Sequence, residues 1–576
     1  MKRILNLRTW LIMLVILVAG VLASRTLFKK DFYWNMHDDL QMMRQLEMEK
    51  CFQDGQIPCR WVPDMGYGFG FPLFNYYPPL PYLTGEVFRV AGFSFNAAVK
   101  LTFALGIIAS GYAMFLLSKE FFGDLGGLAS SIFYLWAPYH AVDVYVRGAM
   151  NESWAWVWFP LALWGVYRLI KKRDLFSMVV LSLSLAALLL THNLMAMIFA
   201  PVFLAWTTYW LVKEKSFAPI PKMAGAGILS LGMVAFFTLP AIFEQKYVHI
   251  DTLIQDYYVY SGHFATFWQL FFSRFWGDGP SAFGPNDGLA FPVGHIHWIL
   301  ILIITVLLTA KIIRSKELKE MDAVAIFGIL VGTGAAFMSH ERSTFIWLII
   351  PYIQFLQFPW RFLSLNVLGY SFAIGSLFYL LDYFKFLGRT SGKIIFLGVL
   401  SLALIIFNWN YFKPVRSGPL TDSQKFSGEA WRIQQQAGIR DYLPIGAKKD
   451  PASARTVLVE TVKGQGYISN QKSGTNWAKF SATFTTKDNT VRINIFDFPI
   501  WKAFVDGNES KIYIDGNEQW GRIYVDVHQG QHSLYLKIFD TPLRKVGNLI
   551  SLLSWLTLFG LVLLVFARKL GFRRKV

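Results

Sequence analysis

STFIWLIIPYIQFLQFPWRFL (343–363) is apolar enough to pass for a membrane crossing, yet it contains Pro351, Pro359 and Arg361. Each proline would break a helix, and the arginine would sit at depth in hydrocarbon. The choice fixes which way everything downstream faces. If 343–358 does not cross, spans near 362–384, 393–409 and 546–567 leave Lys385, Arg389 and Lys393 inside, together with Arg568, Lys569, Arg573, Arg574 and Lys575. If it crosses, all of them lie outside. The bias of Lys and Arg toward the cytoplasmic face favours a re-entrant or interfacial segment and about twelve spans in total.

Composition agrees with a polytopic α-helical membrane protein. Hydrophobic residues make up 54% of the chain and charged residues 16%, and the mean hydropathy is +0.38. Several runs of roughly 20 apolar residues are long enough to cross a bilayer as helices. They lie near 10–27, 97–118, 124–138, 154–170, 175–191, 194–212, 223–240, 294–313 and 322–338. The first follows Lys2, Arg3 and Arg8 and, lacking a small-residue cleavage pattern, is expected to be a retained helix. The net charge of +18 does not point to nucleic acid, because the basic residues cluster beside the apolar runs. Lys171–Arg173, then Lys213, Lys215 and Lys222, then Lys311, Arg314, Lys316 and Lys319 mark alternate junctions; Arg25, Lys29 and Lys30 run mildly against the rule.

This parity predicts a multi-pass protein of the cytoplasmic membrane with both termini cytoplasmic and the active face extracytoplasmic. Residues 1–409 form the transmembrane domain, with a first external loop at 28–96. Residues 410–544 form an extracytoplasmic β-rich domain, and 545–576 a last helix with a basic cytoplasmic tail. The alternation of KIYIDGNEQWGRIYVDVHQGQHSLYLKIF (511–539), with turn signals at Asp506-Gly507 and Asp515-Gly516, predicts a small antiparallel β-sandwich.

The first loop carries WNMHDDLQMMRQLEMEKCFQDGQIPCRWVPDMGYGFGFPLFNYYPPLPY (34–82), too rich in Gly, Pro, Tyr and Phe to be a span. Leu40, Met43, Leu46 and Glu47 recur at helical spacing. Asp38 and Gln41 fit a capping box, with Asp39 favouring the helix dipole. Adjacent carboxylates diverge by about 100° on a helix, so only one of Asp38 and Asp39 can aim at a given point. Cys51 and Cys59, the chain's two cysteines, flank the turn signal Asp54-Gly55 and are expected to form a disulfide in an oxidising compartment.

On this topology the unusual polar groups gather on the outer face: His37, Asp38 and Asp39; Asp143, Arg147 and Glu152; His192 and Asn193; Glu244; His295 and His297; His340, Glu341 and Arg342; and Arg361. Singly, an end-of-helix Arg or Glu snorkels to the interface. Together they suggest a water-filled cavity opening outward. Arg147 or Arg361 would pair with phosphate oxygens, and a nearby carboxylate would deprotonate an attacking hydroxyl. No Walker loop, dinucleotide turn or zinc ligand set stands in the sequence, so ATP is not the expected energy source.

MHDDLQ (36–41), DVYVRGAMNE (143–152), LTHN (190–193), LPAIFE (239–244) and LQFPWRFL (356–363) resemble bacterial membrane proteins labelled 6-pyruvoyl-tetrahydropterin synthase-related. FPIWKAFVDG (498–507) and GQHSLYLKIFDTPLRKVG (530–547) are similar to the end of YfhO-like proteins. An acidic pair in the first external loop, then many spans, then an external domain resembles the GT-C glycosyltransferase superfamily. The resemblance implies a hexosyltransferase-like enzyme that moves a sugar from a polyprenyl-phosphate-linked donor to an extracytoplasmic glycan, lipid or protein acceptor. It places the catalytic base, or a metal ligand, on Asp38 or Asp39. A divalent cation (Mg or Mn) would be held by that pair with His37. His37, Asp143, Arg147, Glu152, His192, Glu244, Trp360 and Arg361 are the candidate substrate-binding residues. The β-domain would help bind acceptor or cover the cavity. The rival reading is a non-catalytic transporter, or a protein that handles or assembles lipid-linked glycans. The partners are the bilayer and the lipid-linked sugar, with no nucleic acid.

Overall fold

The computed structural model describes residues 7–30, 32–284 and 286–569, with Lys569 described by its backbone alone. Lys2, Arg3, Arg573, Arg574 and Lys575, invoked above for topology, lie outside the described residues. Within them, seven helices are long and apolar enough to cross a membrane: Phe95–Leu135, Asn193–Glu214, His295–Ser315, Glu320–Met338, Pro359–Tyr383, Thr390–Asn408 and Pro542–Arg568. The pair Ile220–Met233 and Ala235–Phe243, bent by 72°, makes an eighth if it counts as one span.

The expected crossings outside that number have plain causes. The runs 97–118 and 124–138 are two helices within Phe95–Leu135: Gly123, at φ +66° and ψ −172°, breaks the helix, and the halves fold back on each other so that Ser131 Oγ donates to Gly111 O (2.8 Å). Leu7–Ala23 and Leu175–Thr191 are 17 residues each, at the lower limit for a full crossing. Met150–Lys172 is rich in Trp and carries Glu152, Arg168, Lys171 and Lys172.

Residues 343–358 do not form a crossing helix. The chain breaks into a short helix, Thr344–Ile349, and 3-10 turns at Pro351–Leu356 and Pro359–Phe362, at the two prolines that forbid continuity. Only then does it enter the helix from Leu363. Phe345, Leu348, Ile349 and Tyr352 point their apolar surface outward, with Tyr352 75% exposed.

The C-terminal domain is a six-stranded antiparallel sheet rather than the expected two-sheet sandwich. Eight strands occur in the chain: β1 (Phe32–Trp34), β2 (Ser417–Pro419), β3 (Val459–Lys463), β4 (Gly466–Ser473), β5 (Trp477–Phe496), β6 (Trp501–Val505), β7 (Asn508–Ser510) and β8 (Arg522–Ile538). β5 and β8 pair along most of their length, with register shifts after Phe484 and Ile493. β4 pairs with the first half of β5 and β3 with the second half, while β6 and β7 extend the sheet beyond β8. Asp506-Gly507 forms a two-residue hairpin between β6 and β7, both residues at positive φ, as the sequence leads one to expect. Asp515-Gly516 instead turns the loop before β8.

The sheet lacks a second layer of strands because the first loop supplies the cover. Trp61 packs on Phe498 and Trp501, and Phe69 on Phe496. β1 pairs with β2, and the Asp54 carboxylate accepts from Thr475 N–H (2.7 Å) and Trp477 Nε1 (3.0 Å). The loop and the sheet domain are therefore one packed unit on the same face of the helical body.

Cys51 and Cys59 are joined in a disulfide, with Cα atoms 5.4 Å apart. In protein taken from its native membrane without reduction, both cysteines should resist alkylation and differ from the reduced mass by two hydrogens. Two alkylatable thiols there would contradict both the bond and the placement of this loop in an oxidising compartment.

Candidate functional site

The site begins with a backbone seam between two stretches more than a hundred residues apart in sequence. His37 N–H donates to Val146 O (3.1 Å) and Asp38 N–H to Arg147 O (2.9 Å). Trp34 Nε1 donates to Val144 O (3.2 Å), and Gln41 Nε2 to Gly148 O (2.8 Å). Gly148 has φ +61°, and a Cβ there would run into the Met36 side chain. Glycine is required at that position on both counts.

This seam replaces the capping box. The helix starts at Gln41 with Leu40 as its N-cap, and no side chain caps it. Gln41 instead turns back, donating to Asp38 Oδ2 (3.0 Å) and accepting from the Tyr82 hydroxyl (2.7 Å). Arg44 Nη1 donates to the same Asp38 Oδ2 at 2.6 Å, and its guanidinium lies over the Tyr77 ring. Asp38 Oδ1 has no hydrogen-bond partner among the described residues, and Asp38 lines a cavity. Asp39 points elsewhere. Its carboxylate is held by Lys425 Nζ (2.6 Å) and the Tyr33 hydroxyl (3.1 Å), and burial raises its pKa.

Behind Asp38 stands a buried network centred on Glu152. Its Oε2 meets Arg147 Nη2 at 2.8 Å and Arg361 Nε at 3.4 Å. Its Oε1 accepts from Tyr139 and Ser364 hydroxyls at 3.3 Å each. Asp143 takes the other terminal nitrogen of Arg147, and Trp360 lies flat beneath that guanidinium, 4.4 Å from it. Arg361 Nη1 is spent on Leu356 O and Gln357 Oε1. Its Nη2 has no partner among the described residues. Burying two guanidiniums is tolerable here because two carboxylates are buried with them.

Asp38, Arg147, Glu152, His192 and Arg361 share a cavity of about 550 Å3, a size suited to a small organic ligand. Tyr76, Tyr77, Tyr257, Tyr258, Phe355 and Phe358 supply aromatic walls, and the broken segment before Leu363 forms one side. His37 also lines it, its Nε2 against Asp278 O and its pKa lowered by burial. His192 uses Nδ1 to cap the following helix at Met195 N–H instead of bonding a carbonyl.

Not every candidate belongs. Glu244 is outside the cavity lining: its carboxylate is clamped by Arg544 (2.6 Å), Asn75 and Thr541, tying the last helix to the first loop. Asp143 sits one layer behind Arg147. His295 and His297 bond the carbonyls of Phe272 and Phe133, away from the cavity. His37, Asp38 and Asp39 have separate partners, so the expected divalent-cation site does not assemble from them. Among the described residues no three His, Cys, Asp or Glu side chains group to hold a metal.

Two charged cavity residues escaped the sequence. Arg44 lies on the helix read only for its apolar spacing. Asp441 arrives from the C-terminal domain, in the turn Ile439–Asp441, with no motif around it. Burial pushes its carboxyl up to about 6, against the opposing pull of Arg44.

No family model matches the chain. An uncharacterized protein of Lactococcus lactis subsp. cremoris (strain MG1363) is 22% identical over 242 residues, which cover 40% of this chain and 39% of the relative. Among solved structures, the arabinofuranosyltransferase AftD from Mycobacteria is similar with a TM-score of 0.43 at 13% identity, covering 72% of this chain and 28% of that one. The Archaeoglobus fulgidus oligosaccharyltransferase gives 0.36 at 14% identity, covering 74% and 53%. The chain thus spans well under two thirds of each of these proteins.

Glu152 gives the clearest stability test. Glu152→Gln leaves two buried guanidiniums sharing only Asp143, at a cost of about 3 kcal/mol. Thermal unfolding in detergent should show a marked drop in Tm, whereas Asp39→Asn, at a side chain 41% exposed and paired with the single cation Lys425, should shift it less. An unchanged Tm for Glu152→Gln would contradict the network.

Proposed function

We propose that the protein is a membrane glycosyltransferase that moves a sugar from a polyprenyl-phosphate-linked donor to an extracytoplasmic acceptor. The resemblance to GT-C enzymes, the 6-pyruvoyl-tetrahydropterin synthase-related and YfhO-like proteins among them, supports this reading. We count about twelve crossings in the membrane body by taking the short and charged helices as spans as well. The first loop and sheet domain then face outward and both termini inward.

The observation that carries the reading is the pairing of an unpartnered carboxylate oxygen, Asp38 Oδ1, with an unpartnered guanidinium nitrogen, Arg361 Nη2, in one cavity. Asp38 Oδ1 takes the proton of the acceptor hydroxyl. That oxygen attacks the anomeric carbon, the bond from that carbon to the phosphate oxygen breaks, and its electron pair leaves with the polyprenyl phosphate. Attack opposite the leaving group inverts the anomeric centre. Arg361 receives the departing charge as a hydrogen-bond donor, and Arg147, fixed by Asp143 and Glu152, adds positive potential without moving. Phe355, in the cavity wall, continues into the exposed apolar residues Phe345, Leu348, Ile349 and Tyr352, a surface on which a lipid tail can lie.

One observation favours the rival. Arg44 occupies Asp38 Oδ2 in an ion pair, so one of the two carboxylate oxygens is already engaged, which suits a protein that binds lipid-linked glycans without chemistry.

Purified protein incubated with a panel of polyprenyl-linked sugars and candidate acceptors separates the two. The transferase reading expects release of lipid phosphate with at least one donor. Asp38→Asn should lower it on the order of 100-fold or more, because an amide takes no proton, and Asp39→Asn should leave most of it. Equal activity in wild type and both variants would remove Asp38 from the chemistry, and donor binding without release would favour the handling reading.

A further inference from the structure

A second cavity, of about 660 Å3, lies wholly within the sheet domain and has no part in the chemistry above. One wall is the loop before β8, which carries Tyr513, Asp515, Asn517 and Trp520. The other is the face of β5 and β8 that carries Arg492 and Asp526. The loop is pinned across β8 by reciprocal backbone bonds between Tyr513 and Tyr524.

Its lining combines aromatic surface with fixed polar groups. Trp520 is held by the Arg522 guanidinium 4.6 Å over its ring, and Arg522 is in turn paired with Glu518 at 2.9 Å. Asp526 Oδ1 accepts from the Tyr513 hydroxyl (2.8 Å) and from Thr490 Oγ1 (2.7 Å), which leaves Oδ2 without a partner among the described residues. Arg492 spends one terminal nitrogen on Glu460, while its Nε is buried with no partner. Three cations (Lys463, Arg492 and Arg522) face three carboxylates (Asp515, Glu518 and Asp526), so the groove has no net charge to attract a strongly ionic ligand.

We propose that this groove binds a saccharide chain without net charge. Sugar rings present C–H faces that lie against Trp520 and Tyr513, and hydroxyls that bond at once to carboxylate, amide and guanidinium groups. A peptide or lipid tail would leave these polar groups unpaired at a cost.

The groove is also tied to the first cavity. The chain leaves Asp441, in that cavity, and at Lys448 its N–H donates to Gln519 O in the groove wall (2.8 Å). Seven residues span at most about 25 Å. The two cavities are therefore joined by a short segment of chain. That the bound chain is the acceptor rests on the transferase reading; that a saccharide binds does not.

The test uses the full chain in lipid nanodiscs and a panel of linear oligosaccharides: neutral glucans and galactans, N-acetylglucosamine chains, and uronate-containing chains as charged comparators. Saturation-transfer NMR and Trp fluorescence should detect at least one uncharged member. Tyr513→Ala and Asn517→Ala, both away from the domain core, should each weaken it about tenfold. No binding, binding of charged chains alone, or affinity indifferent to both groove variants would overturn the proposal. Saccharide binding without lipid-phosphate release would leave the groove standing and remove the transferase reading. Transfer without saccharide binding would do the reverse.

Discussion

Two backbone hydrogen bonds, from His37 to Val146 and from Asp38 to Arg147, bring the chemistry of this protein to one place. They fasten the start of the first loop to the turn before the helix Met150–Lys172, and Gly148 permits the close approach. Without them Asp38 would have no fixed relation to Arg147, Glu152 and Arg361. Backbone groups buried away from water must be paired, so the seam is also a strong structural demand. The side chains that follow, Gln41 on Gly148 O and Arg44 on Asp38, lock the carboxylate's orientation and leave one oxygen open.

The sheet domain is part of the same construction. It covers the aromatic half of the first loop, delivers Asp441 to the cavity, and holds Asp39 through Lys425. The buried pair Glu244–Arg544 closes the circuit by tying the last helix to Asn75 of the loop. Breaking such a pair strands a charge in an apolar place, so the unit is held by constraints that fail together.

What the sequence revealed follows from where local pattern is decisive. Pro351 and Pro359 forbid a helix wherever they lie, so the broken segment was legible. The Asp506-Gly507 hairpin and the two cysteines were legible for the same reason. The capping box was not, because Gln41 had a better partner in Gly148, far along the chain. The second sheet of a sandwich was expected from strand alternation, which says that one face is buried but not what covers it. Charge type alone misplaced Glu244, which has the composition of a site residue and the partners of a structural one. Asp38 and Asp39 could be told apart only through Lys425 and Arg44, one remote in sequence and the other on the helix that follows. Asp441 carried no signal at all.

The proposed transfer requires that the first cavity hold a lipid-linked phosphate beside Asp38. Cryo-electron microscopy of the full chain in nanodiscs loaded with a polyprenyl phosphate addresses that directly. Phosphate density is expected within hydrogen-bond reach of Arg361, with the lipid leaving past Phe355 toward Phe345 and Tyr352. A phosphate bound elsewhere, or a cavity that stays empty at saturating lipid, would contradict it.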